Sequence, residues 1–167
     1  MRRDDNTPPP LSRPMNVARL APGEDSVTVE ATSAECDALA ADFRIPGIRD
    51  LSGRFAVDGP TRCLRVTGTV TGTVTLVCTV SLEPFEAQVS EPVEVVFTDT
   101  DQLAGTDADI PDPIVGGRID FGVLTAEFLA LGIPAYPRRP GIAFEPVRAG
   151  EDAKPFDALR KLRPDEP

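Results

Sequence analysis

The sequence predicts an α+β protein: an antiparallel β-sheet or partly closed barrel with two or three short helices packed on it. Polar and apolar residues alternate through most of residues 49–97, which is the pattern of strands with one buried face. Two other segments, residues 32–46 and 120–134, repeat their apolar residues every three or four positions, as amphipathic helices do. The 18 prolines and 13 glycines indicate many turns and loops between these elements.

A short strand is expected around residues 15–20, and a second strand and a helix are predicted after it. In DSVTVEA (residues 25–31), alternate residues are valine or alanine, which predicts a strand with one buried face. Thr32 and Glu35 follow at the spacing of a capping box, in which each side chain satisfies an amide of the other residue. The next apolar residues have helical spacing, and the helix is predicted to end before Pro46. These residues are Cys36, Leu39, Ala40 and Phe43. Cys36 is therefore expected in the core.

Three strands are predicted between residues 49 and 97, the first two joined by a turn at residues 58–60. The long strand over residues 62–78 places aliphatic residues on one face and five threonines on the other. Gly68 and Gly72 lie on the aliphatic face and predict a bulge, a bend or a close backbone approach. Pro92 places the last strand at a sheet edge or a bulge.

Residues 98–118 are acidic and rich in glycine and proline, and they predict a long loop. Their aspartates do not follow the spacing of a calcium-binding loop. Asp120 is expected to cap a second helix over residues 121–131, with an apolar stripe that ends at Leu131. Gly132 and Pro134 then end this helix.

The predicted organisation is one domain with two shorter ends. Residues 1–10 are expected to be disordered, residues 11–147 to form the domain, and residues 148–167 to form a tail with a short docking helix. No apolar run approaches the roughly 20 residues that span a bilayer, and the first residues lack the apolar segment of a secretory signal. A cytoplasmic protein without a membrane partner, its three cysteines reduced, is expected.

The chain contains no histidine, the most common general base and metal ligand. The three cysteines are too widely spaced to suggest a zinc site, and no pair of carboxylates lies in a recognisable hydrolase motif. We therefore expect no enzymatic activity, no catalytic residues, no cofactor and no metal.

The formal net charge is −10, and its distribution is uneven. Residues 83–127 contain eleven acidic side chains and a single basic one, Arg118. Such a surface repels nucleic acid and attracts a basic protein, and it argues against DNA as a partner. An ordinary solvated surface is the other interpretation. Arg138 and Arg139 follow Tyr136 in a proline-rich turn, where they either hold a phosphate or a base or belong to a plain surface turn.

One stretch of the chain resembles a known family. VCTVSLEPFEAQVSEPVEVVF (residues 77–97), preceded by VTGTVTGTVTL, is similar to the signature region of the YceD family, bacterial and plastid proteins needed for accumulation of large-subunit ribosomal RNA. Further segments resemble the family in the same order, so that the resemblance covers most of residues 11–163: LSRPMNV, ATSAECDALAADFRIPGI, DPIVGGRIDFGVLTAEFLALGIPAYPRRPG and PFDALRKL.

This resemblance implies a non-enzymatic role in large ribosomal subunit biogenesis. Many family members carry Cys-x-x-Cys where this chain has Cys78 and Ser81, so a thiolate pair is absent and Cys78 is expected to be a small buried residue. The residues of the family motif that we take as candidates for partner binding are Cys78, Ser81, Leu82, Glu83, Pro84, Arg138 and Arg139. The expected partner is a basic ribosomal protein or a pre-50S ribonucleoprotein. The alternative is direct binding of ribosomal RNA through Arg138, Arg139 and the basic C-terminal helix.

Overall fold

In the computed structural model of the protein, the described residues are 8–20, 26–99 and 111–143. The predicted disordered start, except for residues 8–10, and the predicted C-terminal docking helix lie outside them. The strands are β1 (Pro14–Asn16), β2 (Ser26–Glu30), β3 (Gly47–Asp58), β4 (Cys63–Val77), β5 (Pro84–Asp99), β6 (Asp112–Ile114) and β7 (Arg118–Asp120). The helices are α1 (Ser33–Phe43), α2 (Phe121–Gly132) and one 3-10 turn (Val17–Arg19).

Five strands form one sheet in the order β2-β3-β4-β5-β6, in which every pair is antiparallel except β5 and β6. β1 and β7 form a separate two-stranded antiparallel sheet. The α+β prediction is confirmed, and of its two forms the open sheet is the one observed. In the described residues β5 meets β6 only from Phe97 to Asp99, so Pro92 lies on a free edge, as predicted.

Both helices pack on the aliphatic face of the sheet. α1 lies mainly against β3, and α2 lies against β5 and β4. The rings of Phe55 and Phe121 meet with their centroids 5.4 Å apart, and both residues are buried. Each fully buried aliphatic or phenyl side chain contributes about 1.5–3 kcal/mol relative to exposure, so this layer is the main source of stability.

The capping box predicted for α1 is confirmed. The amide of Glu35 donates to Thr32 Oγ1 at 3.3 Å, and the amide of Thr32 donates to Glu35 Oε2 at 2.8 Å. Arg13 donates to both oxygens of the Glu35 carboxylate. These donors, first of all Arg13, lower the pKa of Glu35 to about 2. The start of α1 is thereby tied to the first described segment of the chain.

Gly68 fulfils the prediction of a close backbone approach. A Cβ atom at this position would collide with the backbone oxygen of Arg54 on β3. A Cβ atom at Gly72 would make only an ordinary contact with Leu129 of α2. The register shift lies in β3, between Arg49 and Ser52, where Asp50 has a positive φ of 55°.

Two predictions about residues 98–134 were incomplete or wrong. The segment predicted as one long loop contains β6 and β7, each too short to show an alternating pattern. Leu131 was predicted to lie on the buried stripe of α2 but is 73% exposed. The buried residues of the helix are Phe121, Gly122, Leu124, Thr125 and Leu129, and the side chains of Thr125 and Leu129 lie next to β3 and β4.

Candidate functional site

The turn between β4 and β5 contains most of the candidate residues. The amide of Cys78 donates to the backbone oxygen of Glu83, and the amide of Leu82 donates to that of Cys78, both at 2.9 Å. The amide of Glu83 also donates to Ser81 Oγ at 3.4 Å. Leu82 has a positive φ of 60° and is 76% exposed. These hydrogen bonds therefore hold a large apolar side chain in solvent, in a backbone conformation that is unfavourable for leucine.

Cys78 lies directly after β4 and is inaccessible to solvent, as predicted for a small buried residue. Its Sγ atom accepts hydrogen bonds from the amide of Arg139 at 3.4 Å and from the amide of Ser81 at 3.5 Å. These two amides and the Ser81 hydroxyl lower the pKa of the Cys78 thiol to about 6, the Arg139 amide contributing most. Ser81 acts here as a donor to sulfur and supplies no second thiolate.

The loop that follows α2 lies against this turn. The amide and the hydroxyl of Thr79 both donate to the backbone oxygen of Pro137, at 2.9 and 3.1 Å. Arg139 Nη1 lies 3.1 Å from Glu83 Oε2, and both side chains are more than half exposed. The structure thus brings together the two groups of candidate residues, which are about sixty positions apart in the sequence.

Sequence reasoning did not select Thr79, Val77 or Tyr136 as site residues. Thr79 is the main link between the turn and the loop, and no spacing in the sequence connects it with Pro137. Val77 and Tyr136 are 44% and 79% exposed beside this link. The signal that could have pointed to Val77 and Tyr136 is that they are large apolar residues beside the candidate residues in the sequence.

The acidic residues of β5 are largely neutralised by arginines from other parts of the chain. Glu86 pairs with Arg49 at 2.8 Å, and Glu94 with Arg65 at 3.4 Å. Counting charge along a segment therefore overstates the negative charge that this strand offers to a partner, because arginines of β3 and β4 reach its glutamates across the sheet.

Among the described residues from Glu83 to Glu127, three carboxylates have neither a cation within ion-pair distance nor a hydrogen bond: Glu91, Asp112 and Glu127. We call them the acidic edge. Glu91 lies on β5 against the end of α2, Asp112 starts β6, and Glu127 lies on α2 at the groove between the helices. Desolvation of the partly buried carboxylate raises the pKa of Glu127, and the charge of Asp112 raises it further.

Within residues 8–20, 26–99 and 111–143, no three side chains of His, Cys, Asp or Glu are grouped so that they could hold a metal ion. In the same residues, neither helix has the length and apolar character needed to cross a membrane.

Comparison with family models gives a match to the large ribosomal RNA subunit accumulation protein YceD over residues 66–163, more than half of the chain. The chain belongs to the YceD family. The match starts within β4 and includes every candidate residue from Cys78 to Arg139. It does not extend to residues 11–65, for which a resemblance was also predicted. Neither a search of curated proteins nor one of solved structures gave a match.

Membership of the YceD family implies a role in the accumulation of large-subunit ribosomal RNA, and so in ribosome biogenesis. The description of the family names this role and no chemical reaction.

Proposed function

We propose that the protein supports accumulation of large-subunit ribosomal RNA by binding a basic ribosomal protein or a pre-50S particle in the cytoplasm, without catalysing a reaction. The observation that carries this proposal is the acidic edge, whose three carboxylates have no cation in the described part of the chain. Burial is the main reason that the pKa of Glu127 is raised, and repulsion by the charge of Asp112 adds to it. A lysine or arginine from a partner would relieve this repulsion.

The strength of an exposed ion pair limits what the acidic edge contributes to the affinity for a partner. A single exposed ion pair is worth about 0–1 kcal/mol, so three carboxylates cannot provide most of the affinity. They can accelerate encounter with a basic partner and orient it, because electrostatic steering depends on the summed field. The contacts that hold a pre-50S particle, which offers RNA as well as protein, are then expected at the family motif, in the turn from Cys78 to Pro84.

A pull-down with the tagged full chain, with and without nuclease, tests the proposal. We expect basic ribosomal proteins to be recovered after RNA is digested. Replacing Asp112→Asn together with Glu127→Gln should lower their recovery severalfold, with the larger loss at low salt. Asp50→Asn with Asp58→Asn is the matched control, since it removes the same charge from exposed positions of β3.

Two results would contradict the proposal. One is that all partners disappear with nuclease treatment. The other is that cells without the protein keep normal levels of large-subunit ribosomal RNA and normal subunit profiles.

A second candidate function is direct binding of ribosomal RNA through Arg138, Arg139 and the C-terminal helix predicted from the sequence. That helix lies outside the described part of the chain. The observation that favours this function is that Arg138 is exposed and has no acidic partner in the described residues. Phosphate contacts make affinity fall steeply with salt. Arg138→Ala with Arg139→Ala should then weaken binding of large-subunit RNA and flatten its salt dependence. Binding that is absent or independent of salt would exclude this function.

A further inference from the structure

Hydrogen bonds join the turn from Cys78 to Glu83 to the loop from Tyr136 to Arg139, and we call the two together the tip. Val77, Leu82 and Tyr136 are three of the five large hydrophobic residues that are exposed in the described part of the chain. In the sequence, each of the three lies within three positions of a residue whose hydrogen bond joins the turn to the loop. Exposed apolar residues grouped in this way are typical of a binding surface.

The tip is held in place by its own hydrogen bonds. Thr79 bonds twice to the oxygen of Pro137, and the Arg139 amide bonds to the buried sulfur of Cys78. Leu82 has a positive φ, which costs about 1–3 kcal/mol for a residue other than glycine. A surface that is fixed in advance loses little conformational entropy when a ligand binds.

The charge of the tip decides which ligand it fits. Arg138 is exposed without an acidic partner among the described residues, and Arg139 has only the exposed Glu83. A basic protein would meet like charge here. An unpaired nucleotide offers a base that stacks on an aromatic ring and a phosphate that a guanidinium binds, which is how single-stranded RNA is usually recognised.

We propose that the tip binds an unpaired nucleotide of large-subunit ribosomal RNA, with its base stacked on Tyr136 and its phosphate on Arg138. Leu82 and Val77 provide the apolar surface beside the base. Cys78 is a positioning residue, because its sulfur holds the amide that follows Arg138 in the chain. The inference rests on the second candidate function, direct binding of ribosomal RNA.

Tyr136 provides its own readout, because the chain contains one tyrosine and no tryptophan. The full chain is titrated with a single-stranded oligonucleotide from large-subunit ribosomal RNA, and with a duplex of the same length. We expect quenching of tyrosine emission by the single strand and little by the duplex. N-acetyltyrosinamide, titrated in parallel, corrects for light absorbed by the RNA.

Affinities of the variants, measured by anisotropy of labelled RNA, separate stacking from charge. Tyr136→Ala should weaken binding about 5- to 150-fold with an unchanged salt slope, and Tyr136→Phe should retain binding. Arg138→Ala should lower the slope of log affinity against log salt by about 0.7. Val115→Ala is the matched control, since Val115 is 70% exposed and lies away from the tip, beside β7.

The possible failures are distinguishable. RNA binding that depends on salt but is unaffected by Tyr136→Ala, with no quenching, overturns the stacking inference and leaves the second candidate function standing. Absence of RNA binding removes both. Loss of a nuclease-resistant protein partner from Tyr136→Ala, with RNA binding intact, shows that the tip binds protein and also overturns the inference.

Discussion

The thiol of Cys78 is buried, and burial alone would raise its pKa because a low-dielectric environment disfavours the thiolate. Two amides and the Ser81 hydroxyl oppose this effect, and they dominate, so that the pKa falls to about 6. Cys36 belongs to the hydrophobic core, where desolvation is the largest effect and raises the pKa of its thiol. The difference between the two cysteines comes from how deeply each thiol is desolvated and from the amides around Cys78, which the residue type and its hydrophobic spacing do not reveal.

Replacing Cys78 should change how stability depends on pH. The folded chain ionises this thiol near pH 6, whereas the unfolded chain ionises it near 9.0. Since the folded pKa is the lower one, the thiolate stabilises the folded chain. This stabilisation is complete above pH 9.0 and is lost as the pH falls through about 6. In urea unfolding, the stability difference between the parent chain and Cys78→Ala should therefore widen from pH 6 to 9.

Cys36→Ala is the control for this experiment. The Cys36 thiol has a raised pKa, so it stays protonated in both the folded and the unfolded chain up to about pH 8. The stability difference between the parent chain and Cys36→Ala should therefore be constant from pH 6 to about 8 and should not widen toward pH 9. Parallel curves for Cys78→Ala and Cys36→Ala would show that Cys78 is also a neutral thiol.

At the scale of elements, the capping box of α1 is the clearest case of a local signal with a local effect. Thr32→Ala removes the acceptor for the Glu35 amide and should lower the free energy of unfolding by about 1 kcal/mol, within a range of 0.5–2. Ser33→Ala is the control, because Ser33 is exposed in the same turn of helix. Equal effects of the two substitutions in urea unfolding would mean that the cap does not stabilise the helix.

Elements with a repeated pattern could be predicted from the sequence, and contacts between distant residues could not. β3, β4 and β5 show alternation over many residues, and α1 has a stripe and a cap. β6 and β7 have three residues each, which is too few for any period to be visible. The contact of Cys78 with the Arg139 amide depends on where α2 ends relative to β4, which no spacing in the chain encodes.

At the scale of the whole molecule, the sheet redistributes the charge of the chain. Residues 83–127 are almost free of basic residues in the sequence, yet Arg49 and Arg65 reach Glu86 and Glu94 across the strands. The negative charge available to a partner moves to the side where α2 lies near β5 and β6. The tip, with its two arginines, follows the C-terminal end of α2.

Asp120 joins parts of the chain that are more than a hundred residues apart. Its carboxylate caps α2 by accepting the amides of Gly122 and Val123, and it also accepts the Ser12 hydroxyl and the Arg13 amide. Loss of a cap costs about 1 kcal/mol, and loss of hydrogen bonds to a charged group about 1.5–3. We therefore expect Asp120→Ala to destabilise the fold by about 2–4 kcal/mol.

Asp112→Ala is the comparison for this prediction, because Asp112 is exposed and caps no helix; its removal should change the free energy of unfolding by less than about 0.5 kcal/mol. Hydrogen exchange gives a second readout. In Asp120→Ala, the amides of Arg13, Gly122 and Val123 should exchange faster together, since one carboxylate accepts all three. Faster exchange at the helix alone, with the Arg13 amide unchanged, would show that Asp120 caps α2 without anchoring the first described segment.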